Sequence, residues 1–352
     1  MKKILAMMTA LMVNALMGGA LAQAVGMAPL TGALALNGVA LVLGNQIPAY
    51  SLGAGVYTEV WTGELVKELE RLVAGSWLEG IPDASQLVDN EVIHLVDVGV
   101  DPDVLVNNTT YPIDLQSLND QDKAISLDKF QTKVTPITDD ELHAISYDKI
   151  KRVKDSHAHS IAVYKFAKAA HAFCAQSHTK STPVLTTSGE RVEATGRLRL
   201  IMADVVALKD ALDKNKVPMI GRRLVLCSDH VNDLLLTSQA FKEQYNINRA
   251  DGTVARLYGF DIYENDTNPL YTTGGTKKAF GSTADAGEFE CSFAYLPQRV
   301  FKASGTTKMY WRAAENDPQY QRSLVNFRHY FVAMPKKNDA GGVLRSGYRA
   351  TA

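Results

Sequence analysis

The sequence predicts an α+β fold, and three stretches predict it. Val217 to Asp266 reads as strand, capped helix, exposed loop and strand. Glu141 to about Ala175 contains neither Gly nor Pro and reads as one long helix. Residues 90 to 140 form a polar excursion with turn residues and alternating hydrophobicity, which reads as an extended two-stranded loop.

The first 44 residues admit three readings. Met1-Lys2-Lys3, an apolar run from Ile4 to Leu21 and Ala22-Gln23-Ala24 match a secretory signal peptide, residues 1–24, with an A-x-A cleavage site. A membrane-spanning helix is a second reading, interrupted by Asn14, Gly18 and Gly19. The third is an N-terminal arm whose apolar surface is covered by assembly. The apolar, Gly/Ala-rich character runs on to Gly44, which favours the arm.

The next elements follow from periodicity. Trp61, Leu65, Leu69 and Leu72 recur at helical spacing opposite Glu64, Lys67, Glu68 and Arg71, and Gly80-Ile81-Pro82 ends that helix. Val92 to Val96 is a strand, and Ala124 to Val134 is the strand returning to it. Thr138 and Glu141 make a capping box for the long helix. Arg197 to Asp213 carries Leu198, Ile201, Val205, Leu208 and Leu212 on one stripe. Leu224 to Cys227 is a buried strand, and Ser228 or Asp229 caps the helix after it. Leu257 to Tyr263 is a strand with Gly259 inside it, at a bulge or a close backbone approach. Thr272 to Gly287 is a loop, Phe289 to Phe301, Lys308 to Arg312 and Leu324 to Val332 are strands, and Val343-Leu344 finishes a sheet.

Composition narrows the function. The 352 residues are 46% hydrophobic and 21% charged, with a net charge of −1. A chain living by phosphate contacts would carry a basic excess, so dedicated nucleic-acid binding is disfavoured. Weak self-repulsion lets copies pack closely. Cys174, Cys227 and Cys291 are widely spaced and read as buried free thiols, which favours a reducing compartment.

Candidate chemistry is sparse. His171, Cys174 and His178 fall on one face of the long helix, with His157 and His159 upstream, and zinc is the metal such residues would take. No CxxC or HExxH spacing supports it, and a buried stripe explains the pattern, so no metal is assigned. Gly18-Gly19 and Gly274-Gly275 lack the flanks of a phosphate loop, and Thr187-Ser188-Gly189 those of a nucleophile elbow. Asp139-Asp140-Glu141 suits a helix N-terminus. Asn107-Asn108-Thr109 and Asn265-Asp266-Thr267 matter only in a secreted chain. No catalytic or cofactor residue is assigned, and no enzyme activity is expected.

The order Val-Pro, Gly-Arg-Arg-Leu-Val-Leu, a helix with a Leu-Leu pair, then Gly-x-x-x-Arg-Leu-x-Gly-Phe-x-Ile-Tyr resembles the central domain of tailed-phage major capsid proteins, which have the Hong Kong phage-type capsid fold. Leu127-Asp128-Lys129-Phe130, then Thr138-Asp139-Asp140-Glu141-Leu142, then Tyr147-Asp148 is similar to that family's passage from its extended loop into its spine helix. The resemblance implies an N-terminal arm (1–55), a helix region (56–89), an extended loop (90–137), a peripheral domain with the spine helix (138–196), an axial central domain (197–305) and return strands of the peripheral domain (306–352). It implies self-assembly into hexamers and pentamers of an icosahedral head around double-stranded DNA, without sequence-specific DNA binding. The partners implied are further copies, a separate scaffolding protein, a portal and head-decoration or head-tail proteins, with no membrane and no cofactor. The location implied is the virion, after assembly in the host cytoplasm. Some relatives cross-link a loop lysine to a neighbour's asparagine; Lys123 and Lys129 lie in the loop, and no residue is carried over for that chemistry. An exported or periplasmic protein is the alternative.

The arm reading predicts an intact N-terminus. Mass spectrometry of the assembled protein should find peptides preceding Val25, whereas a chain starting at Val25 would establish export instead.

Overall fold

A computed structural model of the chain describes residues 62–73, 76–97, 104, 107–109, 111–113, 121–138, 149–245, 253–317, 319–336, 339 and 341–350. These belong to the unit Thr62–Ala352, which is distinct from Met1–Trp61. The N-terminal arm and the candidate signal sequence lie outside the described residues.

Helix α1 (62–73) buries Leu65 and Leu69, as its stripe requires. A turn at 76–80 separates it from Ile81-Pro82 and carries Trp77 into the core. Strands β1 (Val88–Asp89), β2 (Val92–Asp97) and β3 (Gln121–Ser126) make an antiparallel ribbon. The expected single strand from Ala124 to Val134 is instead two strands in two sheets. β4 (Asp128–Gln131) leaves the ribbon and pairs with β14 (Arg322–Pro335), as does β5 (Thr135–Thr138). Leu127 is the joint: its N–H donates to Glu91 O at 3.0 Å and its side chain packs with Ile93, Ile125, Phe301 and Val332. That satellite core seats the base of the ribbon on β13 (Val300–Arg312) and β14. Gly305 permits the approach, because a Cβ there would meet Glu91 and lie 2.9 Å from Leu127.

The spine helix α2 (Lys149–Phe173) runs without a break. Thr138 is the last residue of β5, paired with Arg322, and Glu141 lies outside the described residues.

A six-stranded sheet forms the centre, in the order β6-β15-β12-β7-β9-β8. It joins β6 (Val184–Thr186), β7 (Arg222–Leu226), β8 (Ala255–Leu257), β9 (Phe260–Glu264), β12 (Ser292–Tyr295) and β15 (Gly341–Arg345). Alternate residues face opposite ways. Val225, Tyr263, Phe293, Tyr295 and Val343 pack with Trp77, Ala169, Ala170 and Phe173. Leu224, Leu226, Phe260, Ile262, Ala294 and Leu344 pack on the other face, under α3 (Met202–Lys214) and α4 (Ser228–Thr237). A short helix, α5 (Gln239–Tyr245), adds Phe241 to that second core. The chain then forms the pair β10 (Leu270–Tyr271) and β11 (Phe289–Glu290).

Four local expectations are corrected. α3 starts at Met202 rather than Arg197, because Arg197 and Leu198 are held extended, bridged to Tyr348 and Arg191. The N-cap of α4 is Cys227, without a side-chain cap, so Ser228 and Asp229 are first-turn residues. Phe289 to Phe301 is not one strand; β11, β12 and a short helix at Pro297–Arg299 divide it. Gly259 is not inside a strand. Leu257 pairs with Phe260, and Tyr258 (φ 51°) and Gly259 (φ 81°) form the two-residue turn between β8 and β9.

The turn makes a prediction. Nothing but Met219 O lies within 4 Å of a Cβ at Gly259, so the cost of a side chain there is the dihedral and not a clash. Gly259→Val should destabilise by about 1–3 kcal/mol. Lys242→Ala, exposed on α5, should change stability by no more than about 0.5 kcal/mol. Paired thermal melts check this, and equal melting of both variants would refute the turn.

Candidate assembly surface

Three surface features present apolar groups to solvent. The first is the extended loop beyond the ribbon, where Val104, Tyr111 and Ile113 are exposed. The second is a corner of the six-stranded sheet. Met219 and Ile220, the latter 90% exposed, sit just before β7, beside Tyr258 at the tip of the β8–β9 turn. Arg222 fixes this corner from inside: its Nε donates to Pro218 O at 2.8 Å, and Nη1 lies 2.7 Å from Asp213 Oδ1. The third is a groove of about 670 Å³ between β4 and α2, lined by Lys129, Phe130, His157, Ile161, Tyr164 and Phe280 among others. Contiguous apolar surface on a soluble chain marks a contact site more often than chance exposure does.

The residues singled out for chemistry do not converge. His171 Nε2 lies 2.9 Å from Lys278 O, Cys174 Sγ lies 3.7 Å from Cys291 Sγ, and His178 is past the helix, its Nδ1 accepting from Val184 N–H at 3.0 Å. His157 packs on Phe327. Among the described residues no cluster of three or more His, Cys, Asp or Glu could hold a metal. Ser188 Oγ donates to Asp204 Oδ1 at 2.6 Å, and the same carboxylate accepts from Ile201 N–H, so Ser188 helps close the start of α3. Gly275 occupies a tight turn at φ 84°. Asn265 donates to Asn268 and accepts from the Trp77 indole. Lys129 is exposed on β4; the Lys123 side chain and Asp139 to Glu141 lie outside the described residues. The three cysteines are free and buried, as expected. Among the described residues no helix is long and apolar enough to cross a membrane.

No family model and no curated protein matches the chain. Solved structures do. The capsid of a native GTA particle superposes with a TM-score of 0.54 at 12% identity, covering 78% of this chain and 90% of that one. The capsid of Ralstonia phage GP4 gives 0.53 at 9% identity, covering 77% and 87%. The capsid structure of the cyanophage P-SCSP1u gives 0.52 at 14% identity, covering 77% and 87%. The chain has the phage capsid fold. At such identities the likeness shows that fold alone.

The capsid fold here contains a buried polar network that periodicity does not reveal. His230 is fully buried, with Nδ1 2.6 Å from Ser292 Oγ and Nε2 2.8 Å from Ser346 Oγ. Beside it Arg197 grips Asp233 at 2.6 and 2.9 Å, and Asp233 also accepts from Leu200 N–H. A serine next to a histidine suggests a nucleophile. His230 is shut away from solvent, so the pair ties α4 to β12 and to Ser346 just after β15 instead. A second buried histidine, His329, lies 3.3 Å from Lys165 Nζ and 2.8 Å from Thr307 Oγ1.

Burial pushes His230 down to about 3, and burial with the neighbouring Lys165 does the same to His329. Both are neutral when folded, whereas an unfolded histidine protonates below about 6.5. Their stabilisation is complete above that pH and is lost as pH falls from 6.5 towards 3, by up to about 1.4 kcal/mol per unit each. His157 and His171, lowered by burial, act in the same direction. Glu290 opposes them: burial raises it to about 7, so its contribution is present below about 4.5 and lost as pH rises through 7. One carboxyl against two deeply buried histidines leaves a net loss. The melting temperature should fall from pH 6.5 to 4.5 and more steeply below; thermal melts across that range check it, and a flat profile would contradict it.

Proposed function

We propose that this chain is the major capsid protein of a tailed-phage head. Copies form hexamers and pentamers that close into an icosahedral shell around double-stranded DNA. Small hinge differences between copies let one sequence occupy non-equivalent positions. The observation that supports this best is the coincidence of a capsid fold with apolar surface open on a single copy: the loop beyond the ribbon, the Met219–Ile220–Tyr258 corner and the groove beside α2. The ribbon with its loop is the segment laid over a neighbour, residues 197–305 form the axial domain, and the spine helix with the return strands forms the peripheral one. A separate scaffolding protein, a portal and head-decoration or head-tail proteins complete the particle. Assembly takes place in the host cytoplasm, and the DNA is enclosed without base-specific contacts.

Electron microscopy of the overexpressed full chain tests the reading. Capsomers or shells are expected. Ile220→Asp should reduce assembled particles at least tenfold while the isolated subunit melts as the parent does, because a side chain 90% exposed contributes little to its own fold. A parent chain that stays monomeric at every concentration would overturn the proposal.

A further inference from the structure

Two thiols distant in sequence meet in the aromatic core. Cys174 follows the last residue of α2, Cys291 lies between β11 and β12, and their Sγ atoms are 3.7 Å apart across 117 residues of sequence. Both backbones are held. Cys174 N–H donates to Ala170 O at 3.3 Å, Cys291 N–H donates to Pro269 O at 3.1 Å, and Asn268 Nδ2 donates to Cys291 O at 2.8 Å. A disulfide needs the sulfurs about 2.05 Å apart, so closure takes about 1.7 Å. Rotation about each Cα–Cβ bond supplies such a displacement without moving the anchored backbone.

One member of the pair also borders open space. Cys174 lines a cavity of about 410 Å³ that takes in Lys277 and Tyr295. Lys277 Nζ donates to His171 O at 2.8 Å and to Cys174 O at 2.7 Å, which holds an ammonium against the Cys174 backbone. Cys227 is engaged elsewhere, 3.7 Å from Ser292 Oγ.

We propose that Cys174 and Cys291 are a disulfide-forming site, closed by hydrogen peroxide or a similarly small peroxide. The Cys174 thiolate attacks one peroxide oxygen; an S–O bond forms, the O–O bond breaks, and the departing hydroxide takes the thiol proton as water. The Cys291 sulfur then attacks Cys174; the S–S bond forms, the S–O bond breaks, and hydroxide leaves with the Cys291 proton as a second water. Each sulfur gives up one electron, and the peroxide takes both. The product ties the end of the spine helix to the entry of β12. The free thiols are the form present inside a reducing cell, and the bridge is the form expected after exposure to an oxidising medium.

The experiment uses the full chain, folded, with a few equivalents of hydrogen peroxide. It is followed by denaturation, maleimide alkylation and digestion without reduction. The expected result is one intrachain pair of peptides joining Cys174 to Cys291, with Cys227 alkylated. The melting temperature should rise by about 5–10 °C and return on adding dithiothreitol. Cys227→Ser should give the same linked pair. The proposal is overturned if all three thiols are alkylated, if Cys174 stops at the sulfinic acid, if Cys227 appears in the linkage, or if the linked peptides come from two chains.

Discussion

The structure depends on one strand being buried on both faces. β12 has no exposed position: Phe293 and Tyr295 face the aromatic core, Ser292 and Ala294 the opposite side. A strand in that position needs a helical layer on each side and a paired strand at each edge. α2 and the Trp77 turn provide one layer, α3 and α4 the other, and β7 and β15 the edges. Trp77 meets Phe293 edge-on at 5.4 Å and Phe173 at 5.8 Å, so the segment after α1 is tied to the sheet through ring geometry as well as area. Two side-chain polar groups on this strand are satisfied inside the core: the Tyr295 hydroxyl donates to Trp77 O, and the Ser292 hydroxyl meets His230. That bond places α4, and α4 through Asp233 places the extended run 197–200.

The sequence makes this central plan readable where periodicity is strong. β7 is a run of apolar residues after two arginines, and α3 repeats Val205, Leu208 and Leu212 at helical spacing. Both emerge on these apolar positions, although α3 starts at Met202 rather than Arg197 and β7 runs Arg222–Leu226. What escapes is set by contacts remote in sequence. Nothing near Leu127 announces that the chain changes sheets there, since the joint is defined by Phe301 and Val332 far downstream. Arg197 to Leu200 has helical spacing but is held extended by Asp233 on another helix. Tyr258-Gly259 looks like strand interior because aromatic residues flank the glycine; the signal available was that glycine beside an unremarkable positive-φ candidate, in place of the usual Asn-Gly.

The candidate surface was legible in outline and not in detail. A polar loop without a core of its own is visible in composition, whereas the seating of its base on β13 depends on Gly305 having no side chain. Met219 and Ile220 look like ordinary apolar residues until Arg222 is seen holding the loop outward. The polar network around His230 carried no motif at all, because serines at 292 and 346 are brought to it only by the sheet.

The strand order has a consequence for when the central sheet can close. β15 lies between β6 and β12, and β6 has no other partner in its sheet. During synthesis, therefore, β12 emerges with one edge open and β6 waits through more than half of the described chain for its neighbour. The sheet cannot close until residue 345 has cleared the ribosome exit tunnel. Translation order thus acts as a timer for closing this sheet, since its central order is complete only once this strand is added.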